Sequence, residues 1–228
     1  LDELQQFQSF FADEELRGMY VFAQNYCIRK ANQGQTSFLQ DLFEIYKTVL
    51  REGIIFHDGS FSAGTYKNIV AVGLRLKAFN WVEDFIDRYN GRLSEAEREN
   101  ARIYNLARLF FTKRNFEKVI ELLQQVNYSD VFYSLDSRSI LLKTYYEMDA
   151  VEPMYSLIDS FRTFLRRNKI LSEAQRKGYM NLIKYTLQAS RVRPRDKARI
   201  SKLEKDIDKA SPIADVGWLK EKVAELKG

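Results

Sequence analysis

Two stretches of the chain carry the same pattern, TYKNIVAVGLRLKAFNWVEDFIDRYN at residues 65–90 and ENARIYNLARLFFTKRNFEKVIELLQ at residues 99–124. Gly73 and Ala107 lie 34 positions apart. The apolar residues around them repeat at the same offset: Ile69, Val72, Gly73 and Leu76 align with Ile103, Leu106, Ala107 and Phe110, and Val82, Phe85 and Tyr89 align with Phe116, Val119 and Leu123. A period of about 34 residues with two helical stripes indicates a helix-pair repeat array.

The composition agrees with an all-helical protein. The chain has 228 residues, of which 45% are hydrophobic, so it can bury a substantial core. Glycine and proline are scarce, at 10 and 3 residues, which disfavours a β fold with many tight turns. Good helix formers such as Leu, Lys, Glu and Gln are abundant.

Helix starts and apolar stripes predict about twelve helices. Five capping boxes, in which an N-cap side chain faces a Glu or Gln three residues later, begin at Ser37, Asn80, Ser94, Asp149 and Ser172. The stripes that follow have helical period. The expected spans are 2–11, 14–31, 38–51, 62–78, 81–90, 95–112, 116–126, 130–148, 151–167, 173–190, 195–209 and 215–226. Because the connections are short, successive helices are expected to be antiparallel neighbours.

Residues 65–161 resemble tetratricopeptide-type helix-pair repeats. Gly73 and Ala107 match the small residue that lets the second helix of each pair pack closely, and Leu76 and Phe110 match the large residue one turn later. The resemblance implies an all-α, right-handed α-α superhelix (a solenoid) of about six antiparallel helix pairs. We expect one helical-repeat domain over residues 1–228, with residues 212–228 forming a C-terminal capping helix. The whole chain is also similar to bacterial helical-repeat proteins of unassigned function.

A second resemblance covers residues 46–86, which look like one pentatricopeptide repeat. It is carried by Arg51-Glu52-Gly53-Ile54 and by Thr65-Tyr66-Lys67-Asn68-Ile69-Val70. That family binds single-stranded RNA, with about one base read by each repeat. Since one copy is visible and the code requires several in tandem, RNA binding is the alternative hypothesis.

The sequence contains no catalytic constellation of recognisable type and spacing. The single histidine, His57, lies in the expected loop 53–60, and the single cysteine, Cys27, lies in an apolar helical stretch. A zinc site would need more ligands of these types than the chain provides, and no glycine-rich phosphate loop is present. We therefore expect a protein that is not an enzyme and that has no metal or other cofactor.

The sequence also gives expectations about the compartment of the protein and about whether the chain is part of a longer one. One cysteine suits a reducing compartment, so we expect a cytoplasmic protein. No run of 18 apolar residues predicts a membrane-spanning helix. The chain begins at Leu1, without Met, inside an expected helix, so we expect it to be part of a longer protein.

The resemblance also implies a binding surface, because the first helix of each pair lines the concave face in such arrays. The inward positions on this basis are Leu74, Lys77, Tyr104, Arg108, Phe111, Ser139, Lys143, Tyr146, Arg176, Tyr179 and Ile183. Of these, the candidate partner-binding residues are Lys77, Tyr104, Arg108, Phe111, Lys143, Tyr146, Arg176 and Tyr179. Basic and aromatic groups together suit a protein or peptide with acidic and apolar side chains.

The basic charge is concentrated near the C-terminal end. Residues 151–228 carry 18 basic and 10 acidic side chains, against 18 and 21 in residues 1–150. The densest tract contains Arg191, Arg193, Arg195, Lys197 and Arg199. It is a solvated face, a nucleic-acid site or a docking site for an acidic protein. Since no aromatic residues are interleaved in the tract, we do not expect nucleic acid as the main partner. The predicted function is a non-catalytic protein-interaction or scaffold module, and the oligomeric state is left open.

Overall fold

The computed structural model describes residue 6 and residues 10–126 and 130–228. Within these residues the chain forms α-helices and short connections, and no strand is present. The all-α prediction is therefore confirmed for the described part. The helix expected over residues 2–11 lies largely outside the described residues.

Eleven α-helices lie within the described residues. They are α1 Asp13–Asn32, α2 Phe38–Arg51, α3 Ala63–Arg75, α4 Phe79–Tyr89, α5 Glu95–Thr112, α6 Phe116–Leu123, α7 Val131–Glu147, α8 Val151–Arg167, α9 Glu173–Ala189, α10 Lys197–Lys209 and α11 Val216–Glu225. A 3₁₀ turn, Asn90–Arg92, follows α4. The expected bounds of α2 and α8 agree with the structure to the residue.

The chain divides into two compact units, Leu1–Lys113 and Arg114–Gly228, called unit 1 and unit 2 here. In unit 1, α3 packs against both α4 and α5, and α4 also packs against α5. In unit 2, α7 packs in the same way against α8 and α9, and α8 against α9. The first helix of each trio, α3 or α7, thus contacts the next two helices along the chain.

The same three-residue connection recurs three times. It joins α3 to α4, α5 to α6, and α7 to α8, and its middle residue is left-handed each time: Lys77 at φ 56°, Arg114 at φ 59° and Asp149 at φ 52°. These residues lie 37 and 35 positions apart, close to the offset seen in the sequence. Each connection takes a non-glycine residue into a region that L-amino acids seldom adopt, so the shared turn geometry is a specific feature.

Gly73 lies where α3 and α4 approach most closely. A Cβ at this position would lie 2.5 Å from Val82 Cγ2. Such a distance is too short for two carbon atoms, so the approach of the two helices requires glycine. The predicted role of Gly73 is confirmed, and Ala107 is also fully buried.

The helix starts only partly follow the predicted capping boxes. Ser172 forms a complete box, because Gln175 N–H donates to Ser172 Oγ at 3.1 Å and Ser172 N–H donates to Gln175 Oε1 at 3.0 Å. The prediction is wrong at Asn80 and Asp149, since Asn80 lies inside α4 and Asp149 lies in the left-handed turn. Ser37 and Ser94 are the N-cap residues of α2 and α5, but neither side chain accepts a capping hydrogen bond, so no capping box forms there.

Candidate interaction surface

Two of the predicted binding residues of unit 1, Tyr104 and Arg108, lie together on α5. Tyr104 is buried, at 5% exposure, and Lys67 Nζ and Arg108 Cζ lie 4.9 and 5.7 Å from its ring centroid. Arg108 Nη1 donates to the carbonyl of Lys67 at 3.2 Å. These groups are therefore used to join α5 to α3, and little of Tyr104 is left for a partner.

The other two predicted residues of unit 1 lie apart from this cluster. Lys77 is exposed in the turn between α3 and α4 and forms no ion pair in the described part of the chain. Phe111 is half-buried near the end of α5. The structure thus brings together one pair of the four candidates in unit 1.

In unit 2, the C-terminal helix covers part of the predicted binding face of α7. Asp215, directly before α11, accepts a hydrogen bond from Ser139 Oγ at 2.8 Å. Its carboxylate also pairs with Lys143 Nζ at 2.8 Å, which leaves the Lys143 side chain 12% exposed. Lys143 therefore forms an intramolecular contact in this structure.

The following turns of α11 pack along the same face of α7. Trp218 packs edge-on against Tyr146, with centroids 5.4 Å apart, and its Nε1–H donates to Glu147 Oε1 at 2.9 Å. Lys222 is 2% exposed, and its ammonium lies 2.9 Å from Glu147 and 2.8 Å from Glu225. The segment expected to cap the array thus packs along α7, as well as against α9 and α10.

Burial and hydrogen bonding shift two pKa values in this cluster. Burial raises the pKa of the Tyr146 hydroxyl, so this group stays neutral over the physiological range. Burial by itself lowers the pKa of Lys222, but hydrogen bonds to Glu225 and Glu147 outweigh it, and the pKa lies above the ordinary value. Lys222 is therefore a charged group that holds α11 to α7.

The last two predicted residues, Arg176 and Tyr179, also make internal contacts. Arg176 Nη2 donates to the carbonyls of Asn168 and Leu171, at 3.3 and 3.4 Å, and so braces the connection between α8 and α9. Tyr179 Oη donates to Asp136 Oδ1 at 3.2 Å. Both are half-buried.

A pocket of about 300 Å³ opens beside this face, at the junction of the α7–α8 turn, the α9–α10 connection and the end of α11. It is called the unit 2 pocket here. Its lining residues are Tyr145, Tyr146, Asp149, Ala150, Val151, Met154, Ala189, Ser190, Val192, Pro194 and Leu226. Nine of these eleven residues are aliphatic or aromatic, as in many ligand sites. Of the predicted residues, Tyr146 takes part in it.

The apolar surface continues outside the pocket. Val151, which lines the pocket, is 48% exposed, and Met148 and Tyr155 nearby on the chain are each 36% exposed. Val151 and Tyr155 are four residues apart on α8 and share one helix face. The sequence pattern does not predict this site, because its lining residues come from three separate parts of the chain.

The connection between α9 and α10 gives the pocket a basic rim. Its residues alternate: Ser190, Val192 and Pro194 line the pocket, and the intervening Arg191, Arg193 and Arg195 do not line it and are exposed. Arg195 N–H donates to the carbonyl of Leu226 at 2.7 Å, which fixes this connection to the end of α11. Arg191 Nε donates to Tyr155 Oη at 3.0 Å, and its guanidinium lies 5.5 Å from that ring centroid.

Two other pockets have cations that are already paired. One, of about 330 Å³ in unit 1, is lined by Trp81 and Phe85 but has Lys47 and Arg51 at ion-pair distance from Glu44 and Glu52. The second, between α10 and α11, holds the Lys220–Asp208 pair at 2.6 Å. Each of these two pockets also has a lining cation that forms no ion pair among the described residues, Arg88 in the first and Lys205 in the second. At the rim of the unit 2 pocket, Arg191, Arg193 and Arg195 likewise form no ion pair in that part of the chain.

The residues considered for catalysis lie in ordinary surroundings. Cys27 is buried, and this burial raises the pKa of its thiol. His57 is exposed in the connection between α2 and α3, with Nδ1 3.1 Å from Asp58 Oδ2. Among the described residues, no three His, Cys, Asp or Glu side chains form a metal-binding group. Over the same residues, no helix combines the length and apolarity needed to span a membrane.

Comparisons with protein-family models, with curated proteins and with solved structures find no match for this chain.

Proposed function

We propose that this chain is a non-catalytic protein-interaction module, built as a helical-repeat solenoid, that binds a peptide or protein segment. The recurring three-residue turn between helices supports the repeat architecture. Solenoids of this kind present extended surfaces to their partners.

The observation that carries the proposal is the unit 2 pocket. It combines an apolar wall with neighbouring exposed apolar side chains, Met148, Val151 and Tyr155. Exposed apolar groups next to a pocket are typical of interaction sites. In the described part of the chain, Asp149 is the one charged residue that lines it. A single carboxylate suits binding better than acid–base catalysis, which needs a positioned partner group.

The site proposed here differs from the concave positions expected from the repeat resemblance. Lys143 and Tyr146 are partly covered by α11, and Tyr104 and Arg108 join α3 to α5. The charged groups of Lys143 and Arg108 are used in intramolecular contacts, and the rings of Tyr104 and Tyr146 pack against other side chains of the chain. The open apolar surface in unit 2 is therefore the better candidate for a partner.

Photo-crosslinking in the source cell tests this proposal. We replace Val151 by p-benzoylphenylalanine in the full chain and identify the adducts by mass spectrometry. The matched control carries the same group in place of Ile170, an exposed residue of unit 2 that does not line the pocket. We expect a defined set of protein adducts at position 151 and not at position 170. The same adducts at both positions, or none at position 151, would contradict the proposal.

A further inference from the structure

The alternating connection between α9 and α10 suggests what kind of segment the pocket accepts. Val192 and Pro194 supply apolar wall, whereas Arg191 and Arg193, one residue away from each, are exposed. Arg191 and Arg193 are thus sequence neighbours of pocket-lining residues, and their exposed guanidinium groups are available to a segment that extends from a side chain bound in the pocket. Arginine presents a planar fork of donors that matches a carboxylate.

We propose that the unit 2 pocket binds an acidic peptide segment, with one apolar side chain in the pocket and flanking carboxylates on Arg191 and Arg193. This inference rests on the proposed function and adds the chemistry of the partner.

Charge complementarity is the first argument for an acidic occupant. Unit 2 carries 22 basic and 16 acidic side chains, whereas unit 1 carries 14 and 15. In the described part of the chain, Arg191, Arg193 and Arg195 have no carboxylate at ion-pair distance, and the nearby Asp196 pairs with Arg199 at 3.5 Å. The rim is thus locally positive, and opposite charge favours both encounter and correct orientation.

The second argument is that the Arg191 side chain and the backbone of the connection are already held in place before a partner binds. Tyr155 holds the Arg191 side chain through a hydrogen bond at 3.0 Å and a ring contact. The bond from Arg195 N–H to Leu226 fixes the backbone of the connection. An arginine that is already positioned loses less side-chain entropy on binding than a free one.

The pocket volume is sufficient for an apolar side chain as the anchor. At about 300 Å³, the pocket lies at the lower end of the range for small-molecule sites. A leucine, methionine or phenylalanine side chain suits this size. Asp149 lies at the wall and disfavours an anchor that carries negative charge itself.

Selection from a random dodecapeptide phage library on the immobilised full chain tests the inference. We expect the enriched peptides to share one large apolar residue with at least two acidic residues nearby. The most enriched peptide is then labelled, and its affinity is measured by fluorescence polarisation at low and high salt. Since salt screens exposed charges, the affinity is expected to fall as salt rises.

Two matched double variants separate local contacts from net charge. The double change Arg191→Gln with Arg193→Gln is expected to weaken binding about tenfold, as expected for the loss of two partly exposed ion pairs. The control, Arg166→Gln with Arg167→Gln, removes the same charge from exposed positions at the end of α8 and is expected to change the affinity less than about twofold.

The outcomes distinguish this inference from the proposed function. Enriched peptides without acidic residues, bound equally well by both double variants, overturn the acidic segment but leave the interaction module standing. A selection that enriches no peptide contradicts both. Two results would assign the pocket to another occupant and overturn the inference: tighter binding of a labelled oligouridine that depends on Arg191 and Arg193, or a dimer in sedimentation that Val151→Asp dissociates.

Discussion

At the scale of single residues, Gly73 sets the distance between two helices of unit 1. A Cβ at this position would collide with Val82 and would also lie 3.7 Å from Phe43 and Trp81. Those neighbours belong to two other helices, α2 and α4, and Val82 and Phe43 are buried, so they can shift little. The small residue is thus required by tertiary packing, although glycine is a poor helix former.

We expect Gly73→Ala to lower the free energy of unfolding by about 1–3 kcal/mol, because added methyl groups strain a packed core. The matched control is Gly18→Ala on α1, where a Cβ would meet no atom within 4 Å. That change is expected to raise stability by up to about 1 kcal/mol through helix propensity. Urea unfolding followed by tryptophan fluorescence measures both. A stabilising effect at Gly73 would refute the close approach of α3 and α4.

Single residues also show what the sequence can and cannot predict. Gly73 and Ala107 were identifiable because a repeated small residue in an apolar stripe has one main structural cause. Tyr104 and Arg108 were assigned to a binding face, yet they bond within unit 1. Basic and aromatic residues serve internal packing and recognition equally well, so the repeat pattern alone cannot distinguish these uses.

At the scale of helices, α11 is held to α7 by a buried polar cluster. The Lys222 ammonium contacts the carboxylates of Glu147 and Glu225. Glu147 also accepts one hydrogen bond from Trp218, and its carboxylate lies 3.2 Å from the Arg114 guanidinium. Glu147 itself is 6% exposed, so its carboxylate depends on these partners. Loss of one buried partner leaves a charge with incomplete compensation.

We expect Lys222→Met to lower the free energy of unfolding by about 2–4 kcal/mol, since Glu147 keeps only part of its partners. Lys220→Met is the control two residues away, where the exposed pair with Asp208 contributes under about 1 kcal/mol. Urea denaturation followed by circular dichroism compares the two variants with the parent chain. An equal loss in both would show that the Glu147 cluster does not hold α11 in place.

The helix starts and ends were largely predictable, but the position of α11 was not. The pattern of Trp218, Leu219, Lys222 and Val223 predicted a helix that caps the end of the array, but not the helix against which it packs. The contacts with α7 depend on Asp215, Trp218 and Lys222, whose partners lie about 70 residues earlier in the chain. Helical periodicity describes one helix at a time and contains no information about such pairs.

At the scale of the whole molecule, basic charge and open apolar surface coincide in unit 2. Unit 1 has one more acidic than basic side chain, whereas unit 2 has six more basic than acidic ones. The unit 2 pocket and its basic rim of Arg191, Arg193 and Arg195 lie in unit 2, which carries the excess of basic side chains. We propose that the protein binds its partner there, and not through α5 residues such as Tyr104 and Arg108.

Hydrogen exchange by mass spectrometry tests this claim most directly, because it locates a bound ligand along the full chain. The measurement compares the free protein with the protein saturated by the most enriched library peptide. We predict slower exchange in segment 148–155, which contains Val151 and Tyr155, and in segment 189–195, which contains the basic rim. We predict no change in segment 101–112 of α5. Slower exchange confined to segment 101–112, with segments 148–155 and 189–195 unchanged, would contradict the claim.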